Sequence, residues 1–359
     1  MMLNLASDSG TDPRPAAPDG QVPLSLPGPY LLFLGDTVEP GYAKTALGLR
    51  DWAPDRCVGE LALPGATVTT GLAPFSVADA AERGARALLI GVATRGGQIP
   101  EQWLPTLTEA LASGLDIISG MHTRLGDLPV LAANARRLGR RLIDVRVPPD
   151  NIPIATGRKR SGRRLLTVGT DCALGKKYTA LAISRGLDAR GVDVSFRASG
   201  QTGIMIAGAG IPIDAVVSDF IAGAAELLSP DAAPAHIDIV EGQGSLFHPS
   251  YAAVTLGLLH GSQPDAFVVC HDPTRTHVLG LPGFALPSLE DVIEQTVAAG
   301  RLTNPRIRCC GVSLNTAALH DGEAQEVVSA TARRLGLAVA DPVRGLGLEA
   351  LLDACAEMS

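Results

Sequence analysis

The stretch Leu165 to Thr179, LLTVGTDCALGKKYT, constrains this chain most. The apolar run Leu165 to Val168 predicts a buried strand. A glycine-bounded loop runs from Gly169 to Gly175, and Tyr178 to Ala189 predicts a helix. Strand, glycine loop, Gly-Lys and helix make a phosphate-binding P-loop. Backbone N–H groups and the helix N-terminus present partial positive charge to an anion, and Lys176 adds a full one. Two departures matter. Five residues separate Gly169 from Gly175, one more than usual, and Lys177 stands where an NTPase places the Ser or Thr that holds Mg²⁺. Thr179 lies two residues on, roughly 200° round the helix, and is a poor substitute. The loop is suited to binding a diphosphate without hydrolysing it.

On either side of this loop, apolar runs alternate with helical patterns, which predicts α/β architecture with parallel sheets. The expected organisation is a disordered Pro-rich tail over residues 1–27, a Rossmann-like domain over 28–150, a basic linker over 151–164 and a P-loop NTPase-like, doubly wound domain over 165–359. Ligands of such sheets sit beyond the carboxyl ends of the strands, so Gly91–Gly97 and Ser119–Thr123 are expected to face any cleft. Arg158, Lys159, Arg160, Arg163 and Arg164 make the linker strongly basic. The charge run predicts a solvated segment; the alternative is a positive rim beside the P-loop.

A length of 359 residues fits about two domains. A net charge of −7 argues against nucleic-acid binding, which needs a basic surface. No apolar run reaches the ~18–20 residues of a membrane span, and the first twenty residues lack the basic and apolar segments of a secretory signal. The six cysteines include no C-x-x-C pair, which argues against a disulfide framework or a zinc knuckle and points to the cytoplasm. The spacing of His271, Asp272 and His277 fits no standard zinc pattern, and the two histidines, six apart, do not share one helical face.

Glu241 closes the apolar run Ile237 to Val240 and is the first candidate for acid–base chemistry. Asp219 is the second, with helix capping as its alternative role. Cys172 lies in the loop, near a helix N-terminus that is expected to lower its pKa.

The chain resembles the D-glutamate N-acetyltransferase family over nearly its whole length beyond the tail. The matching motifs are Gly169-Thr170-Asp171-Cys172-Ala173-x-Gly175-Lys176, Ser199-Gly200-Gln201-Thr202-Gly203, Asp219-Phe220-x-Ala222-Gly223-Ala224-x-Glu226, Val240-Glu241-Gly242-Gln243-Gly244-Ser245, Cys270-His271-Asp272-Pro273 and Gly311-Val312-Ser313-Leu314-Asn315-Thr316. The long P-loop and the V-E-G-x-G strand end also resemble dethiobiotin synthetase, which implies ATP- and Mg²⁺-dependent ligase or kinase chemistry as the alternative. The closer resemblance implies acetyl transfer from acetyl-CoA to the amine of D-glutamate, a product that feeds an N-acetylglutamate racemase of the enolase superfamily, and a homo-oligomer.

On that reading the donor's phosphates and adenine are held by Gly169, Thr170, Asp171, Cys172, Ala173, Gly175, Lys176, Lys177, Tyr178 and Asn315. Arg197, Ser199, Gln201, Thr202, Gln243, His271 and Arg275 contact the substrate, with Arg197, Arg275 and Lys177 as partners for its carboxylates. The Gly200–Gly203 or Gly242–Ser245 turns offer N–H groups to an oxyanion.

Overall fold

A computed structural model describes residues 24–358. In the first unit, strands and helices alternate along the chain: β1 (Tyr30–Gly35), α1 (Lys44–Trp52), β2 (Cys57–Ala62), α2 (Val77–Glu82), β3 (Ala87–Ile90), α3 (Leu104–Ala112), β4 (Asp116–Ser119), α4 (Pro129–Leu138) and β5 (Leu142–Asp144). The five strands are parallel in the order β2-β1-β3-β4-β5. Every residue of β1 and β3 is buried, as expected of a parallel sheet covered on both faces. Helix α1 and strand β2 lie outside the sequence prediction because glycines interrupt both patterns. Gly59 in β2 is needed for close packing: a Cβ there would lie 2.4 Å from the carbonyl oxygen of Ala73.

The second unit contains β6 (Arg163–Gly169), α5 (Lys176–Ala189), β7 (Val194–Arg197), α6 (Gln201–Ala207), α7 (Ile221–Leu228), β8 (Ile237–Val240), α8 (Ala252–Ser262), β9 (Ala266–His271), α9 (Leu289–Gly300), β10 (Arg308–Leu314), α10 (Asp321–Leu335), β11 (Ala338–Ala340) and α11 (Leu348–Ala356). Its sheet is parallel, in the order β11-β10-β9-β6-β8-β7. Alternate residues of β6 feed two cores. Leu166 and Val168 pack with α7, α8 and α9, while Leu165 packs with α5 and α11. The protein is therefore α/β, with the loop strand β6 near the middle of its sheet.

A third core joins the units. Leu181 of α5 and Ile204, Met205 and Ile206 of α6 belong to the same apolar cluster as β1 and β3. Trp52 stacks on Tyr178 with ring centroids 5.9 Å apart, and Thr45 Oγ1 lies 3.1 Å from Thr202 Oγ1. Among the described residues, no helix is long and apolar enough to cross a membrane.

Two expectations need correction. The expected tail falls largely outside the described residues, but Leu24–Ser25 pairs antiparallel with Ala209–Gly210 and Leu26 is buried. An open backbone edge and an apolar side chain anchor this piece. The basic segment is solvated only in part and is no rim of the P-loop: Arg158 and Lys159 are exposed, but the arginines that follow turn inward. Arg160 and Arg164 are 6% and 1% exposed. The Arg164 guanidinium donates to Ser229 Oγ at 2.7 Å and to the carbonyls of Arg160, Ser161 and Pro230. Buried carbonyls need donors, and arginine supplies five in a fixed fork. Arg163 and Arg164 begin β6, at the end of the strand opposite Gly169.

Candidate active site

The loop between β6 and α5 is shaped by two residues with positive φ, Ala173 at 53° and Gly175 at 104°. Among the described residues, nothing accepts from the N–H groups of Ala173, Leu174, Gly175, Lys176, Lys177 or Tyr178. The first N–H groups of a helix have no intrahelical acceptor and take one from side chains, water or a ligand. A run of them opening a 14-residue helix is a concavity for an anion. Lys176 is buried and its Nζ donates to the Asp171 carbonyl at 2.7 Å. Burial pushes its pKa down. Thr179 turns away into the sheet, with its Oγ1 2.7 Å from Ser313 Oγ, so it is not placed to serve a metal at the loop.

Asp171 is completely buried. Its Oδ2 accepts from Arg275 Nη1 and from the Leu279 N–H, both at 2.8 Å, and its Oδ1 accepts from the Cys172 N–H at 2.6 Å. Arg275 also donates to the Cys172 carbonyl at 2.9 Å. The guanidinium expected to meet a substrate carboxylate thus braces the phosphate loop. The Cys172 pKa is raised rather than lowered, because burial of the thiol outweighs the nearby Lys176 charge. Asp171, Cys172 and His248 offer ligand atoms within 4.8 Å of one another, but both Asp171 oxygens already accept hydrogen bonds.

Glu241 follows β8, the strand paired with β6. It is 4% exposed. Its Oε2 accepts from the N–H groups of Ser199 and Gly200, each at 3.0 Å. Its Oε1 accepts nothing from the described residues. Burial pushes its pKa up to about 7, against the opposing pull of Lys177 and the two N–H donors. Gly203 lies so close that a Cβ there would be 2.2 Å from Oε2. Gly242 sits tighter still: a Cβ would lie 1.6 Å from the Thr167 carbonyl oxygen. Backbone contact of this kind fixes Glu241 beside the loop.

Several predicted residues join this site. Ser199 Oγ donates to the Glu241 carbonyl and accepts from Gln243 Nε2 at 3.0 Å. Lys177 is half-buried, with Nζ 4.3 Å from the Tyr178 ring centroid. Burial lowers its pKa, Glu241 attracts its charge and Lys44 repels it. His271 Nδ1 lies 3.0 Å from Thr170 Oγ1, and burial lowers its pKa. The Asn315 N–H donates to the His271 carbonyl at 2.8 Å, which places Asn315 at the same carboxyl edge. Gln201 and Thr202 lie in the first turn of α6, a helix where the sequence suggested only a turn.

Two candidates stand apart. Arg197 donates through Nε to buried Asp238 at 2.6 Å; it lines a cavity with Arg160 and Glu226 rather than with the loop. Asp219 is exposed, caps no helix through its side chain and takes no part in the bonds that build the site.

A cavity of about 350 Å³ lies between the two units. Its walls include Thr45, Thr94, Gly97, Gly120, His122 and Arg146 from the first unit and Gln201 and Met205 from α6. The Gly91–Gly97 and Ser119–Thr123 loops thus do reach a cleft. A larger cavity of about 700 Å³, between Leu24 and Asn151, is lined by no residue of the loop or of Glu241's surroundings.

Residues 153–352 match the family model described as "Domain of unknown function (DUF1611_C) P-loop domain", and residues 65–148 match "Domain of unknown function (DUF1611_N) Rossmann-like domain". The chain belongs to the DUF1611 family. A D-glutamate N-acetyltransferase of Tritonibacter scottomollicae is 49% identical over 91% of this chain and 98% of its own length. A D-glutamate N-acetyltransferase of Pseudoalteromonas sp is 45% identical over 89% and 97%. The crystal structure of a DUF1611 family protein from Anabaena variabilis aligns with a TM-score of 0.77 at 34% identity, covering 90% of this chain and 98% of that one.

Within this DUF1611 fold, sequence reasoning missed Lys44, Thr45 and Arg146. The available signal was positional. Lys44 and Thr45 open the helix after β1, and Arg146 follows β5, so all lie at carboxyl ends of parallel strands.

Proposed function

We propose that this chain transfers the acetyl group of acetyl-CoA to the amino group of D-glutamate. One observation carries the reading: a phosphate loop with Lys177 at the metal-ligand position stands beside Glu241, a buried carboxylate with one free oxygen and a pKa raised to about 7. The two curated relatives named D-glutamate N-acetyltransferase support the same chemistry.

Acetyl-CoA supplies an activated acetyl thioester. The unpartnered N–H groups from Ala173 to Tyr178 and the Lys176 ammonium fit its diphosphate, whose binding requires neither Mg²⁺ nor hydrolysis. The ammonium of glutamate must lose a proton before it becomes a nucleophile. Glu241 Oε1 is the acceptor, and a pKa near neutrality suits a general base. Ser199 and Gly200 orient the carboxylate through Oε2. Arg275 holds the loop rigid through Asp171. The N-acetylated dicarboxylate then suits an N-acetylglutamate racemase. The free thiols of all six cysteines fit a reducing, cytoplasmic setting.

A thermal-shift comparison of CoA with ATP, each with and without Mg²⁺, tests the loop assignment, because a ligand that binds the native state raises Tm. CoA is expected to raise Tm without Mg²⁺. Stabilisation by Mg²⁺–ATP alone would favour the ligase chemistry of dethiobiotin synthetase.

A further inference from the structure

We propose that the cavity between the two units holds the acyl acceptor, a small dicarboxylic amino acid, with Arg146 taking its side-chain carboxylate. The assignment rests on the acetyltransferase reading and deepens it. At about 350 Å³, the cavity lies in the range of small-molecule sites. Its polar walls are Thr45, Thr94, His122, Arg146 and Gln201, and no carboxylate lines it among the described residues. Its one charged wall residue is the Arg146 cation, paired from outside the lining by Asp214 at 3.8 Å, and its free donors suit an anion.

Arg146 is preorganised. Its Nε donates to the Gly120 carbonyl at 2.9 Å, and its Nη1 lies 3.8 Å from Asp214. Among the described residues, nothing accepts from its Nη2. A guanidinium pinned on one side keeps donors for a planar carboxylate.

Gln201 connects the cavity to the chemistry. It lines the cavity and follows Gly200, whose N–H donates to Glu241. Gly120 permits the close approach of the two units: a Cβ there would lie 2.9 Å from Gln201 Oε1. Lys44, beside Thr45, shares the electrostatic surroundings of Lys177. The first unit thus supplies the acceptor's half of the site and the second unit the donor's half.

The test is steady-state kinetics with D-glutamate and with D-norvaline, which carries a methyl in place of the side-chain carboxylate. For Arg146→Ala, KM for D-glutamate is expected to rise about tenfold to a hundredfold, the worth of a charged hydrogen bond. KM for acetyl-CoA should stay put, the preference for D-glutamate over D-norvaline should collapse, and Arg146→Lys should restore part of it. Gln201→Glu, which adds a negative charge to the opposite wall, should raise KM for D-glutamate in the same way. An unchanged preference in Arg146→Ala, or an equal rise in both KM values, overturns the assignment. Wild-type protein that acetylates no D-amino acid overturns the underlying function instead, so the two failures are distinguishable.

Discussion

Arg275 Nη1 donates to Asp171 Oδ2 at 2.8 Å, tying the segment after β9 to the heart of the phosphate loop. Asp171 is wholly buried and Arg275 is largely so. Removing one partner of a buried pair strands the other's charge, at a cost of about 3–5 kcal/mol. Arg275→Ala is therefore expected to lower Tm by several degrees and to raise KM for acetyl-CoA, with Arg275→Lys recovering part of the loss. Calorimetry and donor kinetics check this. An unchanged Tm together with an unchanged donor KM would show that the pair does not hold the loop.

With Glu241 as the proposed base, activity and stability are expected to move in opposite directions with pH. If Glu241 is the base proposed above, it must be ionised to act, so kcat/KM for D-glutamate is expected to rise with pH through about 7 and then level off. Its pKa is higher folded than unfolded, so protonation favours the native state. That contribution is fully present below about 4.5 and is lost as pH rises through about 7. Glu241→Gln should remove roughly 10²–10⁴ of the rate. It should also be more stable than wild type at pH 8.5, by roughly 3 kcal/mol, with little difference at pH 4.5. Urea melts at the two pH values measure the second effect. A variant less stable than wild type at both would contradict it.

Lys177 draws the Glu241 pKa down from the higher value that burial alone would set. Lys177→Met keeps most of the side chain's volume and removes the charge. The acidic limb of the pH–rate profile should move to higher pH. A limb that stays in place, or moves down, would show that Lys177 does not act on Glu241.

The parts of this molecule that were legible in sequence are those whose causes are local. The P-loop follows from a strand, glycines and a lysine within fifteen residues, and Glu241 follows from an apolar strand that ends in an acid. The parts that were not legible depend on distant partners. Arg275 is 104 residues from Asp171, so its pattern could not distinguish a substrate clamp from a brace. Arg160 and Arg164 read as solvated because arginines usually are; only the carbonyls gathered around them explain their burial. Cys172 followed the helix-terminus rule until burial outweighed it. The cavity arises only when α6 packs against the first sheet, and no period in either segment encodes that meeting.

The most direct test of the central claim is thiol release from acetyl-CoA by the full-length chain, followed with and without D-glutamate in Mg²⁺-free buffer. The account predicts D-glutamate-dependent thiol release, with stoichiometric N-acetylglutamate and no requirement for ATP. No D-glutamate-dependent release, or product formation only with ATP and Mg²⁺, would contradict it.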